Sequence, residues 1–97
     1  MNHGEYKMPG GKLIVADLTL REGRIAGAQI SGDFFLEPDA ALAMIDRALV
    51  GLAADAGEDE VARRVRDALD PEVAMYGISP EAIAVAVRRA LDAGDAA

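Results

Sequence analysis

A chain of 97 residues with 52% hydrophobic and 28% charged side chains has room for one hydrophobic core, over residues 1–97, and is too apolar for a disordered tail. Its net charge of -7 and pI near 4.5 oppose nucleic-acid binding, which needs a basic face, and the lack of cysteine rules out a disulfide framework, a thiolate nucleophile or a zinc-thiolate site. No apolar stretch approaches the ~20 residues of a membrane span and no basic segment leads into an apolar core, so a cytoplasmic protein with no membrane partner is expected.

In chain order, Gly4 to Met8 reads as an edge strand joined to the next segment through the Pro9-Gly10-Gly11 turn. From Lys12 to Arg21, Ile14, Ala16, Leu18 and Leu20 alternate with polar residues, as on a half-buried strand. Glu22-Gly23 predicts a tight turn and an antiparallel return strand. In that strand Ile25 is out of phase with Ala28 and Ile30, which predicts a β-bulge near Ala26 and Gly27. After Gly32 the period changes to 3.6. Leu42, Ile45, Leu49 and Leu52, widened by Ala41 and Ala48, predict a helix from about Pro38 to about Val50, with Pro38 in its first turn and Glu37 and Asp39 at its positive end. Val61, Val65, Ala68 and Leu69 predict a short second helix that ends before Pro71. Ser79 as N-cap, Pro80 as first residue, the stripe Ile83, Val87, Ala90 and Leu91, and Gly94 as terminator predict a third. Strands followed by helices, without βαβ alternation, give an α+β fold: a small antiparallel sheet, hairpin plus edge strand, covered on one face by about three helices.

Two segments offer chemistry. In Lys7-Met8-Pro9-Gly10-Gly11-Lys12 a glycine turn stands between two lysines, an arrangement suited either to an anion or to a plain strand connection with solvated lysines. It is not a Walker A loop, because Tyr6 stands where that loop needs glycine and Leu13 where it needs Ser or Thr. In Gly32-Asp33-Phe34-Phe35, Asp33 can brace a turn by accepting backbone hydrogen bonds. Both phenylalanines of the chain are adjacent here, so one ring can enter the core while the other meets a partner. The acidic run Glu58 to Glu60 reads as a solvated helix start, and Arg63, Arg64, Arg66, Arg88 and Arg89 as polar helix faces. No serine, histidine and acid are arranged for nucleophilic catalysis, so no activity is expected from the chain alone.

Taken in order, HGEYKMPGGKLIVADL, a hairpin and ISGDFFLEPDAAL resemble the C-terminal domain of bacterial lipoate-protein ligases and the separate accessory subunit of archaeal ones, over residues 3 to about 52. The resemblance implies a fold similar to iron-sulfur scaffold proteins, docked on a separate catalytic subunit that binds ATP, magnesium and lipoate, none of which this chain binds alone. It implies a non-catalytic part in acyl-adenylate formation, before the acyl group passes to a lysine of an acceptor protein. Lys7, Gly10, Gly11 and Lys12 would face the nucleotide pocket, Asp33 would brace the turn, and Phe34 or Phe35 would anchor the interface. Two rival readings remain: a sulfur-transfer or iron-sulfur scaffold protein, opposed by the missing cysteines, and a cysteine-free interaction module with no ligase role.

Overall fold

Alternating side chains and two tight glycine turns make the first third of the chain a sheet, and 3.6-residue periodicity makes most of the rest helical. The computed structural model describes residues 2–93. Its elements are β1 (Asn2–Lys7), β2 (Leu13–Arg21), β3 (Arg24–Gly32), β4 (Phe35–Glu37), α1 (Ala40–Leu49), α2 (Glu58–Ala68), β5 (Ala74–Tyr76) and α3 (Pro80–Ala93). Strands β1, β2 and β3 form one antiparallel sheet in that order, while β4 and β5 form a separate two-stranded one.

The hairpin follows the residue pattern closely. Ile14, Ala16 and Leu18 are fully buried on one face of β2, and Leu20 packs against the same core. Glu22 (φ 54°) and Gly23 (φ 77°) both lie in the left-handed region, as a two-residue type I′ connection requires. Thr19 opposes Gly27 and Leu20 opposes Ile25, so Ala26 has no partner and the bulge lies where the phase of the apolar residues demanded it. Ile25 and Ile30 consequently both enter the core, with Ala28 half-buried beside them.

The outer edge of β3 is closed by the segment after α1. Ile25 N–H donates to the Leu52 carbonyl, Gly51 N–H to that of Ile25, and Ala54 N–H to that of Gly23. Further along, Asp46 of α1 accepts from Ile30 N–H at 2.9 Å. Burial raises the Asp46 carboxyl above its ordinary value, and that same hydrogen bond opposes the rise. An edge covered in this way offers no template for a further strand.

Helices α1 and α3 lie on the buried face of the sheet, and α2 packs against both of them. The approach of β1 to α3 is very close: a Cβ built on Gly4 would stand 2.3 Å from the Ala90 nitrogen and 2.6 Å from the Ala86 oxygen. Asn2, itself buried, donates to the Ala90 carbonyl at 3.1 Å. Ser79 caps α3 as its position suggests, with its hydroxyl accepting from Ala82 N–H at 3.1 Å.

Four expectations need correction. Pro38 does not open α1; it follows a cis Glu37-Pro38 peptide, and the helix starts at Ala40 with Asp39 at the N-cap position. The residues before it instead form β4, a strand of three residues, too short to show a period in the sequence. Ala68 is exposed, because α2 ends there and leaves Val61, Ala62 and Val65 to fill the core. The edge strand runs from Asn2 to Lys7 and stops short of Met8, which belongs to the turn. Gly94 lies outside the described residues.

Candidate functional site

The two segments with chemical potential meet at one end of the sheet. Met8, Pro9, Gly10 and Gly11 form a β-turn in which Gly11 N–H donates to the Met8 carbonyl at 2.9 Å, with Gly10 at φ 68°. Proline followed by a glycine of positive φ is the pattern of a type II turn. The turn consumes the Gly11 N–H, so that group is not free to bind an anion, and the cationic groups of the turn are the two lysines. Lys7 and Lys12 are the only lysines in the chain. Both are exposed, and among the described residues neither forms a salt bridge.

Gly32 closes the corner. Its φ is 147°, and a Cβ there would fall 2.0 Å from the Leu13 carbonyl oxygen, so only glycine lets β3 pass that close to the start of β2. The next residue, Asp33, donates its backbone N–H to the same carbonyl at 3.2 Å. This corrects the expected role of Asp33: among the described residues its carboxylate accepts no hydrogen bond, and the brace is its main chain.

The two phenylalanines divide as their adjacency suggests. Phe34 is half-buried against the core, while Phe35 is 60% exposed. With Leu36, Asp39 and Leu42 they line a shallow groove of about 270 Å³. The exposed Phe35 ring meets Tyr76 edge to face at a centroid separation of 6.4 Å.

Tyr76 and Gly77 are the residues that sequence reasoning missed. Phe35 pairs with Tyr76 in the small β4–β5 sheet, which brings a third segment to the corner. Tyr76 is itself 55% exposed. Gly77 follows with φ 77°, and the Lys12 side chain lies against it. The available signal was the glycine after a short apolar run, which marks a turn but not its neighbours.

Several other polar groups tie elements of the fold together. Arg88 donates to the carbonyls of Ala54 at 3.0 Å and Ala56 at 2.9 Å, tying α3 to the loop before α2. Arg89 donates to the Glu5 carbonyl and lies 5.0 Å from the centroid of the Tyr6 ring, and Arg66 pairs with Glu81. Glu58, Asp59 and Glu60 occupy the exposed first turn of α2. No group of three metal-binding side chains occurs among the described residues, and none of their helices is long and apolar enough to cross a membrane.

No protein-family model matches the chain, and no curated protein does. A solved chain from an archaeal lipoylation system of Thermoplasma acidophilum, described as a bi-partite lipoate protein ligase and its E2 lipoyl domain, is similar in structure with a TM-score of 0.67. It is 28% identical, and the match covers 90% of this chain and 91% of that one. The chain has the fold of a lipoate-protein ligase accessory subunit. In this accessory fold the lysine turn, the Asp33 brace and the aromatic pair stand at one corner of the molecule, formed by three separate stretches of sequence.

Proposed function

We propose that the chain serves as the accessory subunit of a two-component lipoate-protein ligase, docking through the lysine and aromatic corner on a separate catalytic subunit and assisting acyl-adenylate formation. One observation carries the reading: in a protein of net charge -7, both lysines stand at the corner that also exposes a pair of aromatic rings. Exposed aromatic pairs anchor interfaces, because they bury large area at little entropic cost.

In the reaction, the lipoate carboxylate attacks the α-phosphorus of ATP and displaces pyrophosphate. Negative charge shifts towards the leaving phosphates, and ammonium groups fixed nearby stabilise that shift most when water is excluded. The resulting mixed anhydride is hydrolysed readily, so a second body closed over the site protects it until an acceptor lysine attacks the acyl carbon and AMP departs. This chain contributes charge and closure; ATP, magnesium and lipoate are held by the catalytic subunit.

The test is pyrophosphate release by the purified catalytic subunit with and without this protein. The protein is expected to raise the rate, and Lys12→Ala to cut the stimulation by roughly tenfold, the worth of one charge-assisted hydrogen bond. A catalytic subunit that works at full rate alone and ignores the added protein rules the reading out; capture of an unrelated partner instead supports a plain interaction module.

A further inference from the structure

Gly77 combines a positive φ with a close side-chain neighbour; at Gly32, which also pairs positive φ with close contacts, the nearest obstacle is the Leu13 main chain. The Gly77 φ of 77° belongs to the left-handed region. A Cβ on Gly77 would stand 2.5 Å from Lys12 Cγ, 3.2 Å from Lys12 Cβ and 3.8 Å from Phe34 Cα. Gly10, Gly23 and Gly51 also have positive φ, but a Cβ on any of them would meet nothing within 4 Å. Positive φ alone therefore accounts for those three glycines. At Gly77 the absent side chain also leaves the space that the Lys12 stem occupies.

A lysine side chain has four rotatable carbons and loses much freedom when its head is held in one direction. Packing the first two carbons of the stem against a bare backbone removes part of that freedom before any partner arrives, which is how preorganisation strengthens binding. The surface that restrains Lys12 is continuous with the aromatic pair, since Tyr76 directly precedes Gly77 and pairs with Phe35.

We propose that Gly77 is a positioning residue for Lys12: it seats the lysine stem so that the ammonium projects from the docking corner in a fixed direction. The inference rests on the ligase reading above, and it adds β5 and the turn after it to the functional surface. Gly77 touches no reactant and acts only through Lys12.

The test uses Gly77→Asn, because asparagine tolerates the left-handed region and the variant adds mainly bulk. Gly23→Asn is the matched control, with the same φ of 77° but open space around it, at the hairpin end of β2 away from Lys12. Pyrophosphate release by the catalytic subunit is measured with each full-length variant, alongside its thermal melt. Gly77→Asn is expected to lose the same fraction of stimulation as Lys12→Ala, roughly tenfold, while Gly23→Asn keeps it. In the double variant Lys12→Ala, Gly77→Asn no further loss is expected, because only the Lys12 Cβ remains near the new side chain. Losses that multiply in the double variant point to a separate fold defect and overturn the proposal, as does a Gly77→Asn protein that stimulates normally. If the wild-type protein gives no stimulation, the ligase reading fails and takes this inference with it; if only the Gly77 variants depart from expectation, the ligase reading stands.

Discussion

His3 shows how a single side chain on the open face of the sheet joins two strands. Its Nδ1 lies 2.6 Å from Asp17 of β2 and so links the two strands, while its Nε2 lies 2.7 Å from Glu5 on its own strand. Hydrogen bonding to Glu5, and then to Asp17, raises the imidazole above its ordinary 6.5. Because the folded-state value lies above the unfolded one, the link contributes fully below about pH 6.5 and is lost as pH rises through the raised value. Urea midpoints measured from mildly acidic to alkaline pH are expected to fall through that window for the wild-type protein and to lose this component in His3→Gln. A pH profile identical in the two proteins would show that the link contributes nothing. The signal was hidden in the sequence, where the only histidine stands two residues from Glu5 but fourteen from Asp17; strand register brings the second acid across.

Among the elements, the contact between β1 and α3 is the most sensitive, because backbone meets backbone at Gly4. Alanine at this position would place a methyl group against the Ala86 and Ala90 main chain, which cannot turn aside as a side chain can. Overpacking of this kind costs about 3 kcal/mol, which in a domain of this size lowers Tm by something on the order of 10–20 °C. Gly27→Ala is the contrasting case, since its nearest contact is an ordinary 3.8 Å to Thr19, and its melting curve is expected to stay close to wild type. The bulge beside Gly27 was readable from apolar phase alone, because a period of two cannot place Ile25 and Ile30 on one face without it. Strands β4 and β5 were not readable: each has three residues, and their pairing joins segments almost forty positions apart.

For the whole molecule, the distribution of charge and exposed aromatic surface matters more than any one contact. Both lysines share a corner with the exposed carboxylates of Asp33 and Asp39, so a partner there meets charges of both signs around the aromatic rings. Removing the exposed rings tests this surface separately from the fold. Phe35→Ser and Tyr76→Ser each lose one edge-to-face contact and are expected to destabilise the free protein by about 1 kcal/mol or less. If the rings anchor the catalytic subunit, each substitution is expected to weaken the complex by roughly 30-fold, the worth of an interface anchor of about 2 kcal/mol. Calorimetric titration of the two subunits, with thermal melts of the free variants, separates these quantities; unchanged affinity would move the interface elsewhere.

The sequence by itself determined the hairpin and its bulge, the presence of three helices and the α+β class, and alternation offered one phenylalanine for the core and one for the surface without saying which. Each of these rests on periodicity or on a turn residue within a few positions along the chain. Only the tertiary structure decided that the Gly11 N–H is spent inside its own turn, that Asp33 braces the corner by its main chain, and that Tyr76 and Gly77 complete it. Those facts depend on which segments lie side by side, and that is set by packing across the whole core, beyond the range of local patterns.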